Sequence, residues 1–97
     1  MRLEIHPLAQ RDIDEAAFYY FGQRDGLDRE FLDEVEAAVR AILVNPLSYE
    51  QTRAGIRRYR VERFPYDIYY RTPSADCVQI VVVKHHKRRP GYGMRRK

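Results

Sequence analysis

Two short stretches of the chain hold residues that could do chemistry. Arg58 and Arg60 lie two positions apart, and side chains alternate along a strand, so their guanidiniums project from one face together with Glu62. Two planar, permanently charged groups at that spacing form a fork for phosphate or carboxylate oxygens. The same pattern also suits the solvated face of an edge strand, where charge discourages aggregation. The second stretch is the C-terminal segment 84–97, KHHKRRPGYGMRRK, with seven Lys or Arg and no acid. Adjacent His85 and His86 point to opposite faces of a strand, and with one Cys and no His-x-x-x-His spacing no zinc site is expected. One imidazole is expected to be buried or hydrogen-bonded. The other is left as a general acid or phosphate ligand, because it titrates near neutral pH. Tyr92 suits either a stacking role or a cap on the core edge. There is no Gly-rich phosphate loop, paired-carboxylate pattern or Ser nucleophile elbow, and nothing calls for a cofactor.

The elements that must position these residues can be read from periodicity. Arg2–Ile5 alternates as a first strand. Pro7 suits the first position of a helix whose stripe is Ala9, Ile13, Ala16, Ala17 and Tyr20. A second helix, capped by Asp25 or Asp28, carries Leu27, Phe31, Val35, Ala38, Val39 and Ile42, and Asn45-Pro46 stops it. Residues 45–55 read as a loop. The period then changes to two, giving strands at 56–64, 66–71 and 78–83, with a turn over 72–76. The expected fold is α+β in the order β-α-α-β-β-β, an αα-hairpin on a mainly antiparallel four-stranded sheet. Its shared core is expected to contain Ile13, Ala17, Phe31, Val35, Ile42, Ile68, Ile80 and Val82. The last residues, 90–97, are expected to carry no core contacts and to be dispensable for folding.

The totals fit one domain over 1–97. No apolar run approaches the roughly 20 residues of a membrane span, and MRLEIHPLAQ lacks a signal-peptide core, which places the site of action in the cytoplasm, away from membranes. The net charge of +4 conceals an asymmetry. Residues 1–52 hold five basic and eleven acidic side chains, and residues 53–97 thirteen and three, or −6 against +10. The second half therefore presents an electropositive face suited to an anionic partner.

The ordered set Asp12-Ile13-x-Glu15-Ala16-Ala17-x-Tyr19-Tyr20, Asn45-Pro46, Gly55-Ile56-Arg57-Arg58, Arg63-Phe64-Pro65-Tyr66-x-Ile68-Tyr69-Tyr70-Arg71 and His86-x-Arg88-Arg89-Pro90-Gly91-Tyr92 resembles the ParE/RelE superfamily of toxins. The likeness runs from about residue 4 to 96. It implies the toxic half of a bacterial type II toxin–antitoxin (plasmid stabilisation) module, joined in a hetero-oligomer with a neutralising antitoxin. RelE-like members cleave mRNA on the ribosome, and ParE-like members inhibit DNA gyrase by binding it. On the endonuclease alternative the working residues are Arg58, Arg60, His86, Arg88 and Tyr92. Arg58 and Arg60, however, stand where RelE has lysines, and guanidinium cannot serve as a base. Asp67 stands where RelE has an arginine. These departures favour the ParE branch, with Arg58, Arg60, His86, Arg88, Arg89, Tyr92 and Arg95 as the target-binding set and the segment from Lys84 onward as the binding edge.

Overall fold

The computed structural model describes residues 1–53 and 55–97. The elements follow as β1 (Arg2–Ile5), α1 (Pro7–Phe21), α2 (Leu27–Val44), β2 (Gln51–Arg53), β3 (Ile56–Arg60), β4 (Tyr66–Ser74) and β5 (Cys77–His85). The sheet order is β1-β5-β4-β3-β2, with β1 parallel to β5 and the other pairs antiparallel. The α+β architecture and the helical hairpin agree with the sequence. The sheet has five strands rather than four, because Gln51–Arg53 pairs with β3 inside the stretch read as a loop. Three residues are too few to show a period of two.

Local chemistry explains most of the boundaries. His6 caps α1, its Nδ1 accepting from the Leu8 N–H at 3.0 Å, and Pro7 follows at the first turn. The cap of α2 is Gly26 rather than Asp25 or Asp28. That position has φ of 83°, a left-handed conformation costly for a residue with a Cβ, and no side chain bonds the helix start. Asp28 instead lies in the first turn, where its charge complements the helix dipole. Strand β3 ends at Arg60, short of the expected Phe64. Arg63 turns left-handed at φ of 69°, Phe64 drops into the core, and Glu62 is left in the turn, off the face of Arg58 and Arg60. Strand β4 runs on through Pro73 to Ser74, and Ala75 and Asp76 alone make the turn.

One face of the sheet carries the main core. Ile13, Phe31, Val35, Ile42, Ile68 and Ile80 pack there with Val83, and Ala17 lies half-buried against them. Val82 belongs elsewhere. Tyr69 pairs with Val82 but Tyr70 pairs with Ile80, so Val81 is an extra residue in β5. This bulge breaks the alternation and turns Val81 and Val82 to the sheet's other face, where they cluster with Ile56 and Tyr69. Tyr92 and Met94 of the C-terminal segment cover that second cluster. The segment after Arg89 is therefore part of the fold, contrary to expectation. At Gly93, φ is 75° and an added Cβ would come within 2.7 Å of a Val82 methyl.

Candidate functional site

On the sheet face away from the helices, register places Arg60 beside Asp67 and Asp67 beside Lys84, a row of charges across three strands. Arg58 stands next to Tyr69 on the same face. The floor of this cleft is buried: Asp67 and Lys84 are each less than a tenth exposed, and Tyr69 lies under the Lys84 ammonium, 5.2 Å from its ring centre. The rim holds Arg53, Arg58, Arg60, His86 and Arg88, and the volume enclosed is about 490 Å³. Four of the seven sequence candidates, Arg58, Arg60, His86 and Arg88, thus meet around one cavity.

The chemistry of the cleft follows from its pairings. Asp67 Oδ1 accepts a hydrogen bond from His86 Nε2 at 3.1 Å, since a carboxylate can only accept here, and Arg60 Nε stands 4.0 Å away. Asp67 therefore orients His86 and draws Arg60 inward while its own charge is offset. Arg58 is bound to Glu50, which holds its guanidinium charge even more firmly. Lys84 Nζ donates to the carbonyls of Pro90 at 3.0 Å and Arg89 at 3.4 Å. Burial, aided by Arg58 and Arg89 and opposed by Asp67, lowers its affinity for a proton. Among the described residues no group of three or more His, Cys, Asp or Glu could hold a metal ion.

The remaining candidates lie elsewhere. Tyr92 donates its hydroxyl to Asp12 Oδ1 at 2.8 Å, and its ring is flanked by the Arg88 and Arg96 guanidiniums at 4.6 and 5.1 Å. Arg89 and Arg95 line a neighbouring hollow that also includes Arg53. His85 points to the helix side, edge-on to Tyr66, with Nδ1 accepting from the Lys87 N–H at 2.9 Å. Burial, with the charges of His86, Lys87 and Arg88, holds its pKa below the ordinary value.

The positioning of the C-terminal segment rests on a residue that sequence reading passed over. Asp12 of α1 accepts from Val83 N–H at 3.0 Å, from Tyr92, and from both terminal nitrogens of Arg96 at 2.7 and 3.2 Å. Arg96 also donates to the Val81 carbonyl at 3.0 Å. Strand β1 ends at Ile5 opposite Ile80, so beyond that point the Asp12–Arg96 pair replaces a strand, satisfying the open edge of β5 from both ends. The visible signal was a Tyr and an Arg near the terminus. Their partner lies 80 and 84 positions away, and no local pattern could join them.

A sequence profile described as "ParE toxin of type II toxin-antitoxin system, parDE" matches residues 3–90. The chain belongs to the ParE toxin family. A solved structure titled "Chromosomal ParDE TA system from P. aeruginosa" shares the fold, with a TM-score of 0.65 and 20% identity over 88% of this chain and 95% of that one. Among curated proteins none matches significantly. As a ParE toxin the chain is the toxic half of a two-protein module, and its partner is an antitoxin. The ParE branch, rather than the RelE-like one, accords with Asp67 and with Arg58 and Arg60 of β3. No helix among the described residues is long and apolar enough to cross a membrane.

Proposed function

We propose that this ParE toxin inhibits DNA gyrase by binding it, through the basic face built around Arg58, Arg60, His86, Arg88, Arg89 and Arg95, and that the cognate antitoxin neutralises it. The carrying observation is the placement of Tyr92. Cleavage of RNA through its 2′-hydroxyl needs a base, an acid and cations within reach of one phosphate. The cleft supplies the cations, but the Tyr92 hydroxyl is committed to Asp12 outside it. Arg58 and Arg60 stay protonated at any physiological pH. His86 Nε2 is engaged as a donor to Asp67, and Lys84 is engaged by two carbonyls. What remains is a rigid, cationic surface for binding. Tyr92 serves that surface indirectly, by holding Arg88 in place through its ring.

Induction of the toxin in cells separates the two branches. Inhibition of gyrase predicts filamentation and DNA damage with mRNA intact by primer extension, all reversed by the antitoxin. Codon-specific cuts in mRNA that vanish with Tyr92→Phe would establish the endonuclease instead.

A further inference from the structure

We propose that the basic cleft binds the sugar–phosphate backbone of double-stranded DNA, so that the toxin grips the DNA that gyrase holds as well as the enzyme. This rests on the gyrase reading for its biological setting, and on the geometry for its chemistry. Three observations carry it.

The first is a cluster of cations without ion pairs. Four acidic side chains of the helices are paired, Glu15 with Arg11, Glu30 with Arg24 and Arg63, Glu34 with Arg63 and Glu36 with Arg40. Arg53, Arg88, Arg89 and Arg95 make no ion pair among the described residues. Arg53 and Met94 belong to both the main cleft and the adjoining hollow, so these arginines and Arg60 form one continuous band. Arg60 is readily available, with its side chain 75% exposed.

The second is spacing. Arg58 and Arg60 are two residues apart on β3, about 6.6 Å along the strand, close to the separation of neighbouring phosphates along a nucleic-acid backbone. Their planar donors match phosphate oxygens better than an ammonium does. Among the described residues the one carboxylate lining the cleft, Asp67, lies buried on its floor and is already paired, so it does not repel an anion at the rim, and a phosphate on Arg58 displaces the exposed Glu50.

The third selects a duplex over a single strand. Single-stranded nucleic acid is held by aromatic rings on which bases stack. The band offers none: Tyr69 is buried beneath Lys84, and Tyr92 lies between two guanidiniums with its hydroxyl on Asp12. The exposed aromatic rings, Phe18, Tyr19 and Phe21, all lie on α1, on the opposite layer. Guanidiniums without stacking rings read phosphates and leave base sequence unread.

The test is fluorescence anisotropy of full-length toxin, freed from its antitoxin, with a labelled duplex of about 20 base pairs and with single-stranded DNA and RNA of the same length. We expect the duplex to bind at least as tightly as either single strand, with an affinity that falls as salt rises. At roughly 0.9 per phosphate neutralised, three or four contacts give a log–log salt slope of about −3. Arg60→Gln with Arg88→Gln should flatten that slope by about 2, and Arg40→Gln on α2 should leave it unchanged. No binding to duplex at about 50 mM salt, a tenfold preference for single-stranded RNA or DNA, or an unaltered slope in the double variant would overturn the proposal. Gyrase assays run beside it keep the two claims apart. A toxin that inhibits gyrase without binding DNA removes this inference and leaves the gyrase reading standing; one that binds duplex without inhibiting gyrase does the reverse.

Discussion

Two titratable residues of this ParE toxin do structural work outside the basic cleft. Asp12 sits in the polar-looking run Arg11-Asp12-Ile13-Asp14, yet it is buried and accepts bonds from Val83, Tyr92 and Arg96. Removing one partner of a buried ion pair strands the other, at a cost of about 3–5 kcal/mol. Asp12→Ala should lose stability of that order in urea denaturation, while Asp14→Ala, at an exposed position, should stay within about 0.5 kcal/mol of the parent. His85 is a second such case. In the folded chain it stays neutral below its ordinary value of 6.5, and its Nδ1 accepts the Lys87 N–H. The unfolded chain takes up a proton near 6.5, so in the window below that value the unfolded state binds more protons, and acid favours it. Stability should therefore fall as pH drops from 7 to about 5.5, and His85→Gln should flatten that decline when the two proteins are compared by thermal melting. An identical pH profile in the variant would assign the decline to other groups.

At the scale of elements, the helical hairpin and the last strand were legible because burial imposes a period. The stripes of α1 and α2, and the apolar run of β5, predicted most of the main core: Val35→Asp or Ile80→Asp should unfold the domain, seen as loss of the cooperative transition, because an unpaired buried charge costs several kcal/mol. The bulge at Val81 was not legible. It depends on how β5 pairs with β4, and the apolar run Ile80-Val81-Val82-Val83 reads the same with or without it. The second apolar cluster that the bulge creates needs a cover, and the C-terminal segment provides it. Among the site residues, the arginines and His86 were visible as types, whereas the roles of Asp67, Lys84 and Asp12 depend on register and on contacts distant in sequence. A consequence concerns truncation. Cutting after Arg89 removes Tyr92, Met94 and Arg96, uncovers Val81 and Val82, and orphans Asp12. The shortened chain is expected to melt well below the parent or aggregate, so its loss of toxicity would report folding rather than target contact. Gly93→Ala should act in the same direction, losing at least about 1–2 kcal/mol for the left-handed backbone alone.

For the whole molecule, the −6 and +10 halves of the sequence become two sides of one body: helices on which Glu15, Glu30, Glu34 and Glu36 are paired with arginines, and a basic band on which Arg53, Arg88, Arg89 and Arg95 make no ion pair among the described residues. Such separation steers an anionic partner to one side and makes association sensitive to salt. Arg89→Gln and Arg95→Gln, both at exposed positions and without ion pairs among the described residues, should weaken target inhibition without lowering the melting temperature. The central claim is that this face inhibits gyrase by binding. It is tested most directly by supercoiling of relaxed plasmid by purified gyrase, titrated with the parent toxin and with Arg60→Gln/Arg88→Gln. The account predicts that the parent blocks supercoiling, that antitoxin restores it, and that the double variant needs at least tenfold more protein, the loss of about 1.4 kcal/mol of binding. Supercoiling that proceeds undisturbed in the presence of folded toxin, or a double variant as potent as the parent, would contradict it.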